Sequence, residues 1–199
     1  LKSHGIQPDI IISGVGSQIF YGRDFYPDKG WTSHISRNWK PDLIQERLRV
    51  IRFITPQDQA VQTPHKLSYY MEPGKDHLAR VHHVLTKNRF QYSLIYSHER
   101  YLDILPYRAS KGKALRFLSY KWQIPLGNFL VCGDSGNDAE MLKGEPLGVV
   151  VGNYSPELDE LKSRRRVYFA AKPHAGGMME GMEHYNFIVK AKGALTNGT

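Results

Sequence analysis

The sequence predicts an α/β fold in two parts: a core built on a parallel sheet, interrupted by a smaller α+β segment. Three observations carry that expectation. Short, continuously apolar runs at Ile10–Ser13, Phe129–Cys132 and Gly148–Val151, with Val167–Ala170 as a fourth candidate, read as strands buried on both faces. From residue 109 onward these runs alternate with helical patterns, the order of an α/β unit with right-handed crossovers. From about Phe25 to Tyr107 the chain instead carries many aromatics and alternating strands, the character of an inserted cap. The division expected is core over residues 1–24, cap over 25–108 and core again over 109–199.

Each element has its own signal. Leu1–Gly5 reads as the end of a helix closed by a glycine, so the sequence is expected to open inside a longer polypeptide. Within the cap, Lys66–Met71 reads as a strand and Asp76–Thr86 as a helix. Tyr92–Tyr96 and Tyr101–Leu105 flank the polar turn Ser97–Arg100 and predict a β-hairpin. In the second part of the core, Lys113–Trp122 places Ala114, Leu115 and Leu118 on one helical face. A further helix is expected over Ser155–Ser163, with Ser155 as N-cap and Pro156 in the first turn. Lys190–Thr199 reads as a frayed tail.

Composition narrows the class. The 199 residues are 41% hydrophobic, enough for a sizeable core. No stretch approaches the ~18 consecutive apolar residues of a membrane span, and no secretory leader is evident. The single cysteine, Cys132, excludes an internal disulfide and suits a reducing compartment, so a cytoplasmic protein is expected. A net charge of +8 raises nucleic acid or an anionic substrate as partner. The dense cationic run Arg164–Arg166 is too short for a DNA-binding stripe, and a phosphorylated small molecule suits the same charge.

The chemistry concentrates in Phe129-Leu-Val-Cys-Gly-Asp-Ser-Gly-Asn-Asp138. An apolar strand ends at Gly133 and acidic residues follow at once, where open α/β sheets bind ligands. Asp134 and Asp138 are four apart, so a helical turn is expected to put both carboxylates on one side. Two carboxylates beside the Asn137 amide make an all-oxygen set suited to Mg²⁺. A plain strand-to-helix turn capped by Asp134 is the competing reading, and the carboxylate pair favours the metal. Upstream, Lys111 opens the helix that feeds this strand, where the macrodipole prefers negative charge. An anion is therefore expected beside it, and a phosphate bound near Asp134 meets that need.

These runs carry a resemblance. The Gly133–Asp138 loop, the Ser110-Lys111-Gly112 helix start and Pro8–Phe20 resemble the haloacid dehalogenase superfamily. More narrowly they resemble sucrose-phosphate phosphatases and the phosphatase-like C-terminal domain of bacterial sucrose-phosphate synthases. Tyr101–Pro106 and Ala175–Gly181 extend the likeness to nearly the whole chain. The resemblance implies a Rossmann-like core with an inserted α+β cap and a Mg²⁺-dependent phosphomonoesterase acting on sucrose 6-phosphate through an aspartyl-phosphate. Carried over by position, Lys111 is the catalytic phosphate lysine and Asp134 the metal ligand. Asp138 joins Lys111 in the catalytic set, with Asn137 and Ser135 in support. The glycosyltransferase domain of a synthase is the protein partner implied.

One departure matters. The nucleophile of that superfamily lies in an Asp-x-Asp pair, and none of this chain's ten aspartates (9, 24, 28, 42, 58, 76, 103, 134, 138 and 159) stands two before another. The Ser/Thr strand that should follow is also missing, so the core is expected to be incomplete by its first two strands. That leaves Ile10–Ser13 without a neighbour and opens two apolar strand edges. The alternative function is a non-catalytic regulatory or docking domain of a synthase.

Weaker signals lie in the cap. Lys66, His98 and Glu99 are candidate sugar contacts, and Trp31, Trp39, Tyr69 and Tyr70 offer rings for stacking or for the core. His77, His82 and His83 lack zinc-helix spacing and read as surface residues. Cys132 reads as a small core residue, and Gly14 and Gly16 as parts of a tight turn.

Overall fold

A computed structural model describes residue 5 and residues 7–188 of the chain. The helix end expected at Leu1–Gly5 and the tail Lys190–Thr199 lie essentially outside the described residues. No helix among these is long and apolar enough to cross a membrane.

The chain begins with three short strands, β1 (Ile10–Ser13), β2 (Gln18–Tyr21) and β3 (Tyr26–Pro27), paired antiparallel in that order. The reading of Ile10–Ser13 as a parallel strand buried on both faces is thereby corrected. The neighbour it was expected to lack is β2, folded back through the turn Gly14–Gly16. Its other edge has no strand beside it among the described residues, and Ile12 is exposed while Ile10 and Ile11 are only half-buried. Gly16 holds φ +93°, and a Cβ there would run into the backbone of Ser110, so this turn also sets a close approach to the next core segment.

Helix α1 (Lys29–Ser36) follows, capped by Asp28, whose Oδ1 accepts from the Trp31 amide at 2.9 Å. Oδ2 of Asp28 accepts from the Tyr21 hydroxyl at 2.5 Å and from Lys121 Nζ at 2.7 Å. Burial alone would raise the Asp28 pKa, but the bonds from Lys121 and Tyr21 outweigh it and hold the carboxyl below its usual range.

The cap sheet contains β4 (Ile54–Pro56), β5 (Leu67–Met71), β6 (Tyr92–Ser97) and β7 (Tyr101–Pro106), ordered β4-β5-β7-β6 and antiparallel throughout. The hairpin expected around Ser97–Arg100 is β6–β7. Helices α2 (Pro41–Leu48) and α3 (His77–Lys87) cover one face, packing Ile44, Leu48, Val81 and Leu85 against Leu67, Tyr69, Met71, Leu102 and Ile104. Side chains alternate across a strand, so Ile95 and Leu105 point the other way. They join Ile19, Trp31, Ile35, Ala109, Ala114 and Leu118 in a second cluster that fastens the cap to the core.

The remaining core is α4 (Lys111–Trp122), β8 (Leu130–Gly133), α5 (Ala139–Leu142), β9 (Leu147–Val150), β10 (Val167–Phe169) and α6 (His174–His184). The strands are parallel in the order β10-β9-β8. Gly148, Val149 and Val150 of central β9 are buried, whereas β8 alternates because only β9 lies beside it among the described residues. Ser155–Ser163 is not an α-helix: Pro156–Leu161 winds as a 3₁₀ helix, and the Ser155 side chain makes no cap bond. Pro156 does occupy the first turn, and Leu158 and Leu161 fill the core beneath Val131 and Val150.

Replacing Asp28 by Ala is expected to cost about 1–2 kcal/mol at pH 7, measured by urea unfolding. Because the native pKa is lowered, the contribution of its charge is present above the unfolded value near ~3.9 and fades as pH falls through the native one. The gap between parent and variant should therefore narrow progressively as pH falls below the unfolded value.

Candidate active site

The site forms where β8 ends. Hydrogen bonding along β9 carries the chain to Gly133, and Asp134 emerges exposed at the carboxyl end of the strand. Its carbonyl accepts from the Ser155 amide at 2.7 Å, which pins the loop to the segment after β9. Ser135 is extended (φ −143°, ψ 168°), and a 3₁₀ turn over Gly136–Asp138 leads into α5. The helical turn expected between Asp134 and Asp138 is therefore interrupted, and the two carboxylates do different work.

Asp138 is only 5% exposed. Its Oδ2 accepts from the amides of Asp134 at 3.1 Å and Ser135 at 3.4 Å. Its Oδ1 accepts from Lys111 Nζ at 2.6 Å. Lys111, the first residue of α4, also donates to Asn137 Oδ1 at 2.5 Å. The lysine at a helix start thus finds its anion inside the protein, and the helix is capped by Ser110 Oγ, which accepts from the Lys113 amide at 3.0 Å. Asp134 is left with its carboxylate unengaged among the described residues. No group of three or more His, Cys, Asp or Glu side chains gathers around a common point among those residues.

Glu157 was not singled out from the sequence. Its Oε2 accepts from the Gly136 amide at 2.8 Å, filling the space that a Cβ on Gly136 would need. With the Ser155–Asp134 bond, the segment 155–157 grips the acidic loop at two points. In the sequence Glu157 looks like any acidic residue in a helical first turn.

Strand β6 of the cap packs beside Gly136–Asp138, so the core-facing side of the cap sheet borders the site. On that side Ser68 and Asp103 are paired across β5 and β7. Ser68 Oγ donates to Asp103 Oδ1 at 2.6 Å, and Lys66 Nζ donates to the same oxygen at 3.3 Å and bonds Ser68 Oγ. Lys66, 8% exposed, is thus an anchored cation, and Ser68 and Asp103 are partners that the sequence did not reveal. The hairpin tip differs: His98 and Glu99 are exposed at positive φ (52° and 49°), and His98 lies edge-on to Tyr101. Neither is brought into contact with Lys111 or Asp134 by any observed hydrogen bond or ion pair.

The aromatic candidates divide by burial. Trp31 and Tyr69 are core residues, and Trp39 donates its ring N–H to the Pro64 carbonyl at 2.8 Å. Tyr70 lies on the other face of the sheet, with the Arg100 guanidinium 4.9 Å from its ring centre. Of His77, His82 and His83, the last two are exposed, while His77 stacks on Phe53 at 3.8 Å. Cys132 is half-buried, and burial pushes its thiol pKa up, away from nucleophilic reactivity.

This arrangement, a parallel sheet with an acidic loop at one strand end beneath an antiparallel cap, is that of haloacid dehalogenase-type phosphatases. A solved phosphatase of that superfamily from Bacteroides thetaiotaomicron shares the fold, with a TM-score of 0.66 at 17% identity over 90% of this chain and 75% of its own. Closer similarity is narrower in kind. The sequence profile of the sucrose-6F-phosphate phosphohydrolases matches residues 2–186, and the chain belongs to that family. The sucrose-phosphatase of Synechocystis sp. PCC6803, solved with sucrose and phosphate, superposes with a TM-score of 0.85 at 30% identity, covering 93% of this chain and 78% of its own. Sucrose-phosphatase 1 of Nicotiana tabacum is 34% identical over 193 residues, 91% of this chain and 45% of that protein. The chain thus spans less than half the length of the plant sucrose-phosphatase it matches.

Two outcomes test the grip on the loop. Lys111→Ala leaves Asp138 buried without its cation and should cost about 2–3 kcal/mol in chemical unfolding, with faster amide exchange at Asp134 and Ser135. Glu157→Ala should speed exchange of the Gly136 amide by roughly 5- to 10-fold, about 1 kcal/mol, and Glu157→Gln, which keeps an acceptor, should restore most of the protection.

Proposed function

We propose that this chain is the lysine-and-metal part, with its cap, of a Mg²⁺-dependent phosphomonoesterase acting on a sugar phosphate, sucrose 6-phosphate. The observation that carries the reading is the Lys111 ammonium fixed by Asp138 and Asn137, which lie on the same loop as an Asp134 carboxylate that is unengaged among the described residues. A cation fixed to the loop that carries such a carboxylate suits a dianionic phosphate accompanied by a hard divalent ion. Mg²⁺ is commonly bound by one or two carboxylates with waters and substrate phosphate oxygens, and Asp134 fits that role. Bound there, the ion would supply Lewis-acid stabilisation of charge on the phosphoryl oxygens.

The residues of this chain have separable tasks in that reading. Lys111 holds phosphate by charge, and Asp138 and Asn137 aim its ammonium. Ser135 contributes its amide to the Asp138 carboxylate, and Glu157 with Ser155 keeps the loop in register. Lys66, Ser68 and Asp103 present donors and acceptors on the core-facing side of the cap to read sugar hydroxyls. His98 and Glu99 at the hairpin tip are the outer candidates for the same task. No carboxylate pair of the Asp-x-Asp kind exists in the chain to attack phosphorus. In the catalytic reading the nucleophile therefore comes from residues other than these; the alternative is a non-catalytic sugar-phosphate-binding domain attached to the glycosyltransferase domain of a synthase. In either case a reducing, cytoplasmic setting suits the single cysteine.

The purified chain should release no phosphate from sucrose 6-phosphate above background, yet bind Mg²⁺ in calorimetric titration. Asp134→Asn should weaken that binding by about 10-fold or more, and Glu157→Gln by far less. Turnover at a rate matching an intact phosphatase, or Mg²⁺ binding indifferent to Asp134, would overturn the assignment. Phosphate release by the encoded polypeptide that carries this chain separates the catalytic from the non-catalytic reading.

A further inference from the structure

The helical side of the cap, opposite the face that borders Asp138, holds a cavity of about 290 Å³. Two stretches distant in sequence line it: the α1–α2 linker with the outer side of α2, and the turn from α3 into β6. The first contributes Lys40 and Arg47, the second Arg89. Asn38, Asn88 and Gln91 add primary amides, while Leu43 and Phe90 form the apolar part of the wall. Among the described residues no carboxylate lines the cavity. Arg47 makes an exposed ion pair with Glu46 at 3.8 Å.

The walls are tied together. Asn38 Nδ2 donates to Gln91 Oε1 at 3.1 Å, bridging the α1–α2 linker to the α3–β6 turn across 53 residues. Asn38 and Arg89 both hold positive φ, 63° and 54°, the conformations that bring the two backbones around the opening. Asn88 donates to the Val84 carbonyl at 2.8 Å, which leaves its amide oxygen as an acceptor. Three exposed cations around one concavity raise its positive potential, and guanidinium forks beside amides match the oxygens of a phosphomonoester and the hydroxyls attached to it. The volume lies at the small end of ligand sites, roughly 300–1,000 Å³.

We propose that this cavity is a second anion site, distinct from the one at Lys111, that binds a small phosphomonoester dianion such as a monosaccharide phosphate. Arg47 and Arg89 clamp the phosphate, Lys40 adds charge, and the amides meet sugar hydroxyls. The inference rests on the cap alone and stands whether or not the chain contributes to a phosphatase.

Calorimetric titration of the chain with glucose 6-phosphate, inorganic phosphate and glucose tests it. Saturable binding of glucose 6-phosphate is expected in the parent and in Lys111→Gln, with inorganic phosphate weaker and glucose inert. The double variant Arg47→Gln, Arg89→Gln should bind at least about 10-fold more weakly. Binding that vanishes in Lys111→Gln and survives in the double variant would place the anion at the other site and overturn the proposal, as would no saturable binding at all. Should the double variant fail to fold, the side-chain amide resonances of Asn38, Asn88 and Gln91 in the parent decide. They must shift on titration, and silence there counts equally against the site.

Discussion

The buried carboxylate of Asp138 is the constraint around which the acidic loop after β8 and the start of α4 are arranged. It accepts two backbone amides from its own loop and the ammonium of Lys111 from a helix 27 residues upstream. A carboxylate this buried is costly unless every lone pair is used. Its presence therefore fixes the path of residues 134–138 and the aim of the lysine together. The same bonds explain why Asp134, equally acidic in sequence, is turned outward. One aspartate is consumed in building the loop, and the carboxylate of the other is unengaged among the described residues.

A second constraint comes from the sheet. Parallel strands need neighbours and cover on both faces, and here β9 alone of the three has a strand on each side. The outer edge of β8 and the outer edge of β1 carry unpaired backbone groups among the described residues. The molecule compensates by other means. The cap sheet turns Ile95 and Leu105 toward the core, where they bury Trp31, Ile35 and Leu118, and Lys113 reaches across to the Tyr107 carbonyl and Ser93. Burial lowers the Lys113 pKa, the electrostatic cost of holding cap and core together with a cation.

Much of this was legible in the sequence, for identifiable reasons. Phe129–Cys132, Gly148–Val151 and Val167–Ala170 were recognisable as strands because continuous apolar runs between glycine- and proline-bearing turns have few other uses. The β6–β7 hairpin showed itself through alternation around a polar turn. Ile10–Ser13 misled because an apolar run reports strand character without reporting its partner, and β2, with the sequence Gln-Ile-Phe-Tyr, gave no distinct signal. Ser155-Pro156 looked like a helix start, yet tertiary packing of Leu158 and Leu161 drew the segment into a 3₁₀ winding. The Lys66, Ser68 and Asp103 cluster was only one-third visible, because its members meet through strand register over 37 residues.

What the chain determined by itself is the α/β character, the place of the acidic loop at a strand end, and the residue types available there. Those follow from local periodicity and from which side chains can carry charge. Tertiary structure alone decided which aspartate is buried and which is free, that Lys111 is neutralised from within, and that Glu157 grips the loop. It also gathered cations from two distant stretches, Lys40 and Arg47 with Arg89, around one cavity. Such outcomes depend on burial and on contacts between distant segments, and neither quantity is written in the spacing of residues along a chain.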